Sequence, residues 1–150
     1  MTILNEQYTL NSGVKIPKLG FGTWLINNDE VATAVQQAAQ IGYRHFDTAQ
    51  AYGNEQGVGA GLKATGLSRD ELFVTTKVQA EFKDDVTVKK SIDESLQKLD
   101  LDYVDLVLIH APEPWAEFHG ENHYFEENLA MHLKKERYAQ LVFLIFCKQI

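Results

Sequence analysis

The sequence predicts an α/β fold built on a parallel sheet, and three observations carry that prediction. Strand-like apolar runs alternate with amphipathic helix-like ones along the chain. That order implies parallel strands joined by right-handed crossovers. Ionisable residues stand at or just past the C-terminal ends of the runs: Asp47 with Tyr52 in the loop beyond it, then Lys77, then His110. A parallel barrel presents an active site in this way.

The elements follow in order. Tyr8-Thr-Leu and Val14-Lys-Ile flank Asn11-Ser-Gly13 and form an expected hairpin ahead of the main fold. Leu19 to Trp24 is a short glycine-containing strand. A helix is expected from about Asp29 to Gln40, with Val31, Val35 and Ala38 on one face and Gly42 as its stop. Tyr43 to Asp47 is the next strand and Asn54 to about Ala64 the next helix. Leu72 to Lys77 is the third strand. The clearest helix runs from Asp84 to Lys98, since Val88, Ile92, Leu96 and Leu99 repeat with helical spacing. Val104 to His110 is the fourth strand.

Composition bounds the function. A chain of 150 residues that is 45% hydrophobic can bury a core and ordinarily forms one domain. A formal charge of −7 argues against nucleic acid and anionic membrane surfaces as main partners. The N-terminus turns polar by Asn5, so no secretory core is read there, and no apolar run is long enough to span a bilayer. Cys147 is the sole cysteine, which leaves no disulfide framework and no thiolate zinc site. A cytoplasmic location is the expectation.

Strand alternation aims the side chains. Tyr43, His45 and Asp47 share one face of their strand; Phe73, Thr75 and Lys77 share one face of the next; Leu106, Leu108 and His110 share one face of the last. Neighbouring strands lie roughly 4.8 Å apart, so Asp47, Lys77 and His110 are expected at one rim with Tyr52 above them. A phenol of pKa about 10 is a poor acid near neutrality. A lysine ammonium about 4 Å from a phenol supplies close to 4 kcal/mol at an effective dielectric near 20, and an aspartate holds such a lysine in place while cancelling part of its field. A histidine beside the phenol can orient a carbonyl oxygen. This set suits protonation of a carbonyl oxygen while hydride reaches the carbon. No amino acid supplies hydride, so a nicotinamide cofactor is implied.

Leu19-Gly-Phe-Gly-Thr-Trp24, Gly42-Tyr-Arg-His-Phe-Asp-Thr-Ala49, Tyr52-Gly-Asn-Glu55, Val74-Thr-Thr-Lys77 and Asp105-Leu-Val-Leu-Ile-His110 together resemble the aldo-keto reductase superfamily, most closely its bacterial diketogluconate-reductase-like members. The resemblance runs from residue 8 to about 130. It implies the N-terminal portion of a (β/α)8 TIM barrel with a leading β-hairpin, and NADPH-dependent reduction of aldehydes and ketones, with NADH as the alternative cofactor. It maps a catalytic tetrad onto Asp47, Tyr52, Lys77 and His110, with Tyr52 as general acid. It places Gly22, Thr23 and Asp47 at the cofactor, and Trp24 and His110 at the substrate. It also implies a small-molecule carbonyl substrate and a monomer for the intact family.

Other readings stand beside these. His45, Asp47 and His110 could serve as metal ligands in a hydrolase, but Tyr52 and Lys77 would then have no role, so no metal is expected; His45 reads as a packed barrel residue. Asp105 faces away from His110 and reads as structural. Trp115, His119 and His123 lie in an aromatic loop, of which Trp115 is expected to shape the substrate pocket. Ala111 departs from the bulky residue often found after this histidine. Gly57, Gly59 and Gly61 fall within a helix pattern and form no phosphate fingerprint.

Length is the difficulty, because a (β/α)8 barrel needs about 250 residues. Residues 1–130 are read as a partial barrel and residues 131–150 as an aberrant tail. Read one base out of phase through permitted codons, Lys135 to Phe146 can spell Gly-Lys-Ile-Arg-Ser-Ile-Gly-Val-Ser-Asn-Phe, which resembles the family's fifth-strand motif. A frameshift between about Ala130 and Lys135 is therefore the expectation, with impaired activity and self-association through an open sheet edge. The alternative is a non-catalytic fragment or a cofactor-sensing, partner-binding protein. Sequencing the coding DNA past codon 120 tests the frameshift.

Overall fold

The computed structural model describes residues 3–111; Trp115, His119, His123, Cys147 and the tail at 131–150 lie outside the described residues. Strands β1 (Gln7–Thr9) and β2 (Lys15–Pro17) pair antiparallel as the expected hairpin. Four strands follow, β3 (Gly20–Gly22), β4 (His45–Asp47), β5 (Phe73–Val78) and β6 (Leu106–Ile109), and all pair parallel in chain order. Helices α1 (Val31–Ile41), α2 (Glu55–Ala64) and α3 (Asp85–Leu99) fill the crossovers. A doubly wound sheet reverses its order at a switch point. The unreversed order here is that of a portion of a (β/α)8 barrel.

Local chemistry explains where the elements stop. Gly42 ends α1 at φ 116, and its N–H returns to the carbonyls of Ala38 and Ala39. Tyr43 N also bonds Ala38 O at 3.0 Å, so the next strand joins its ladder only at His45, later than the apolar pattern suggests. Asp84 caps α3 by accepting Thr87 N–H at 2.8 Å. The run at Leu19 to Trp24 supplies only three ladder residues, because Thr23 to Ile26 leave the sheet in a turn closed by Ile26 N to Thr23 O at 3.3 Å. Leu25 takes a left-handed φ of 62 in that turn.

Both faces of the sheet carry apolar clusters. Phe46, Val74, Val78 and Val107 pack outward against Val31 and Val35 of α1, Val58 and Leu62 of α2, and Val88 and Ile92 of α3. On the inner face Phe73, Leu106 and Leu108 form a second cluster closed by Val14 and Ile16 of the hairpin. Helix α2 fits between its neighbours because of its glycines. A Cβ at Gly57 would lie 2.1 Å from Asn28 O, and one at Gly59 would lie 2.3 Å from Leu99 O. The glycines of the helix pattern are thus close-packing positions.

Candidate active site

The register of the sheet staggers the site residues. Asp47 lies level with Gly22 on one side and Thr75 on the other, while Lys77 lies level with Leu108, one dipeptide before His110. Each side chain of the set therefore starts one pleat beyond its neighbour, and only the long lysine can reach back. It does so. Lys77 Nζ is ion-paired with Asp47 Oδ1, donates to Thr48 O at 2.9 Å, and donates to the Tyr52 hydroxyl at 3.2 Å. The lysine side chain is only 12% exposed, so its charge is directed at these partners more than at water.

Tyr52 is carried on a short 3-10 turn, Gln50–Tyr52, between β4 and α2. Its ring lies edge-to-face with His110 at 5.5 Å between centroids and tilted against Trp24 at 6.5 Å. Burial pushes the His110 imidazole below its ordinary value, and the Lys77 ammonium acts in the same direction; Asp47 and Glu81 oppose them. Burial and Lys77 both favour the neutral ring. Asp47, Tyr52, Lys77 and His110 stand together, as the spacing suggested.

The remaining candidates sit as follows. Among the described residues, a Cβ built on Gly22 would meet nothing within 4 Å, which leaves room beside Asp47 at that point of the register. Thr23 is fully buried; its N–H and hydroxyl both bond Asp47 O, at 3.0 and 3.2 Å. Trp24 is 67% exposed and overlooks Tyr52. His45 is packed, with Nε2 2.9 Å from Thr75 Oγ1 and its ring edge-on to Phe73. Burial lowers its pKa as well. Asp105 is structural: Oδ2 accepts from Arg69 at 2.6 Å and from Val74 N at 2.8 Å. Among the described residues no group of three or more His, Cys, Asp or Glu side chains is placed to hold a metal ion.

A buried polar layer beneath the site escaped the sequence reading. Asn54, 1% exposed, donates to Thr23 O at 2.8 Å and Ile26 O at 2.9 Å, and its carbonyl accepts from Thr48 Oγ1 at 3.1 Å. One amide thus spans both ends of the turn that carries Trp24. Glu55, 2% exposed, accepts from Thr76 Oγ1 at 2.7 Å and Ser95 Oγ at 3.3 Å, with Lys98 3.9 Å away. Gln50 bonds α3 and the residue after β5. Polar residues between a strand and a helix read as an ordinary exposed loop, and no periodicity marks them as buried.

Comparison with known proteins follows the same lines. The model of the aldo/keto reductase family matches residues 18–138. A methylglyoxal reductase of Escherichia coli O157:H7 is 46% identical over 117 residues, covering 78% of this chain and 40% of that protein. The crystal structure of an aldo/keto reductase from Brucella melitensis superposes with a TM-score of 0.71 at 48% identity, over 73% of this chain and 43% of the other. A Bombyx mori aldo-keto reductase solved in complex with NADP gives a TM-score of 0.68 at 43% identity, over 71% of this chain and 38% of the other. The chain spans about two fifths of the length of these relatives.

Proposed function

The chain belongs to the aldo/keto reductase family, and on that premise we propose that its site reduces the carbonyl group of a small aldehyde or ketone to an alcohol, with a reduced nicotinamide as hydride source. The observation that carries this reading is the Lys77 ammonium bonded both to Asp47 and, at 3.2 Å, to the Tyr52 hydroxyl. A phenol in that contact can give up its proton, because the negative charge it acquires appears beside a fixed cation. Tyr52 is the general acid, Lys77 stabilises the phenolate, and Asp47 holds Lys77. His110, whose neutral form is favoured by burial and by Lys77, orients the carbonyl oxygen toward Tyr52.

The residues beside the tetrad fit a nicotinamide. The room left at Gly22 lets a flat ring approach the backbone next to Asp47, and Trp24 stands exposed at its margin. Gly22, Thr23 and Asp47 would hold that ring, and when bound it supplies the hydride that no side chain can. Trp24 and His110 would bound the substrate. Trp115, outside the described residues, belongs to the same reading. The Escherichia coli relative's name supports methylglyoxal as the first substrate to try.

The test is oxidation of NADPH by the full chain with methylglyoxal, alongside Trp24 fluorescence during cofactor titration in a Trp115→Phe background. Turnover that Tyr52→Phe abolishes supports the reading. Quenching without turnover supports the cofactor-binding alternative. Neither turnover nor quenching at millimolar NADPH or NADH overturns both.

A further inference from the structure

Tyr52 can act on a carbonyl only if its hydroxyl stays in contact with Lys77, yet the two residues lie on different elements. Tyr52 ends a three-residue turn, and Lys77 is next to last in β5. The backbone ties β5 to the chain just before the turn, through Thr48 N to Thr75 O at 2.9 Å, and Lys77 itself reaches Thr48 O and Tyr52. Beyond those, a buried amide joins the turn to the far end of β5. Gln50, 7% exposed, stands two residues before Tyr52. Its Oε1 accepts the N–H of Gln79, two residues after Lys77, at 3.0 Å. Its Nε2 donates into α3, to Ser91 O at 3.1 Å, Ser91 Oγ at 3.1 Å and Ser95 Oγ at 3.0 Å.

The acceptors on α3 are already oriented for a donor. Ser91 Oγ spends its proton on Val88 O at 2.8 Å, and Ser95 Oγ has Ser91 O at 3.1 Å and Glu55 at 3.3 Å to donate to. Their lone pairs therefore face the Gln50 amide nitrogen, and a carboxylate there would meet three oxygens. The site demands an amide with its nitrogen toward α3 and its oxygen toward Gln79.

We propose that Gln50 is a positioning residue that sets the separation of the Tyr52 hydroxyl from the Lys77 ammonium. This rests on the reductase reading of the site. The turn's own bonds, Tyr52 N to Ala49 O at 3.0 Å and Gly53 N to Gln50 O at 3.3 Å, hold its shape but do not tie it to β5. Without the amide the turn can pivot, and a small rotation there is amplified at the far end of the tyrosine ring. A misplacement of about 1 Å can cost on the order of a hundredfold in rate.

The experiment compares Gln50→Ala, Gln50→Glu and Leu96→Ala in the full chain. Leu96 is buried on the same helix and bonds nothing in the amide network, so its truncation reports destabilisation alone. Two quantities are read. One is kcat against KM for NADPH and methylglyoxal. The other is the NMR resonance of tyrosine labelled at Cζ, at fixed pH without cofactor, with Tyr52 assigned by its loss in Tyr52→Phe. Both Gln50 variants are expected to move the Tyr52 resonance and to lower kcat roughly 10- to 100-fold with KM held, while Leu96→Ala lowers the melting temperature and leaves both unchanged. If Gln50→Ala does not fold, Ser91→Ala, which trims one acceptor, carries the same comparison. An unmoved resonance, or an equal movement in Leu96→Ala, overturns the proposal. A wild-type chain that turns nothing over overturns the reductase reading instead, and the resonance still decides the role of Gln50.

Discussion

Replacing Lys77 by methionine removes the charge at the centre of the site while keeping most of its volume. The ammonium lies 3.2 Å from the Tyr52 oxygen. At an effective dielectric near 20, a unit charge at that distance favours a phenolate by about 5 kcal/mol. The Asp47 carboxylate paired to the same nitrogen opposes it, so a net share of about 3–4 kcal/mol is a reasonable expectation. Each 1.4 kcal/mol is tenfold in rate, so Lys77→Met should lower kcat for NADPH-dependent reduction of methylglyoxal by roughly 10²- to 10³-fold. KM for the cofactor should change far less, because the ammonium acts where charge develops in the transition state. The variant also leaves Asp47 without its cation in a half-buried setting, so Asp47→Asn/Lys77→Met is the control that separates lost catalysis from an orphaned carboxylate. Steady-state kinetics on folded protein, checked by circular dichroism, read the result. A Lys77→Met enzyme within threefold of the wild-type kcat would refute the electrostatic account of Tyr52.

Four further outcomes are expected. Gly59→Ala would ordinarily stabilise a helix by about 1 kcal/mol, but its Cβ would lie 2.3 Å from Leu99 O; overpacking costing about 1–3 kcal/mol or more should win, and urea unfolding reads the sign. Asn54→Ala removes the side-chain donor from the carbonyls of Thr23 and Ile26 and leaves Thr23 O only its turn bond from Ile26 N, so a loss of about 1–3 kcal/mol should accompany a changed Trp24 emission in the Trp115→Phe background. Leu25→Gly relieves a side chain held at φ 62 and 81% exposed; the strain released should exceed the added chain entropy and raise stability by roughly 0.5–1 kcal/mol, seen as a higher melting temperature. His45 and His110 both have pKa values lowered by burial. The unfolded chain therefore binds more protons between their lowered values and the ordinary 6.5, and stability should rise with pH across that window and fall as pH drops through it. His45→Gln/His110→Gln should flatten this slope in melting temperature against pH.

The alternation of strands and helices and the shared face of Asp47, Lys77 and His110 were legible in the chain because both follow from local periodicity. Alternation with period two puts Asp47, Lys77 and His110 on one face whatever else the fold does, and Val88, Ile92, Leu96 and Leu99 announce α3 by their spacing. Element ends were less legible. Asp29 precedes the observed start of α1, where Asn27 O accepts from Glu30 N and Val31 N in a turn. Tyr43 reads as strand, yet its N–H closes the end of α1. A hydrophobic pattern records which residues are buried, not which backbone bond each N–H takes.

Sequence by itself determined the βα alternation, the face on which each strand presents its side chains, and the four residues to which the proposed acid chemistry is assigned. Tertiary structure alone decided how they meet. The stagger of the strands requires Lys77 to reach back to Asp47 and Tyr52. The glycines of α2 are set by the backbones of Asn28 and Leu99, which are distant in the chain. Gln50 and Asn54 hold the site because α3 and the Thr23–Ile26 turn arrive beside them. Burial of a polar side chain depends on what packs over it, and that is a property of the folded molecule that no local pattern encodes.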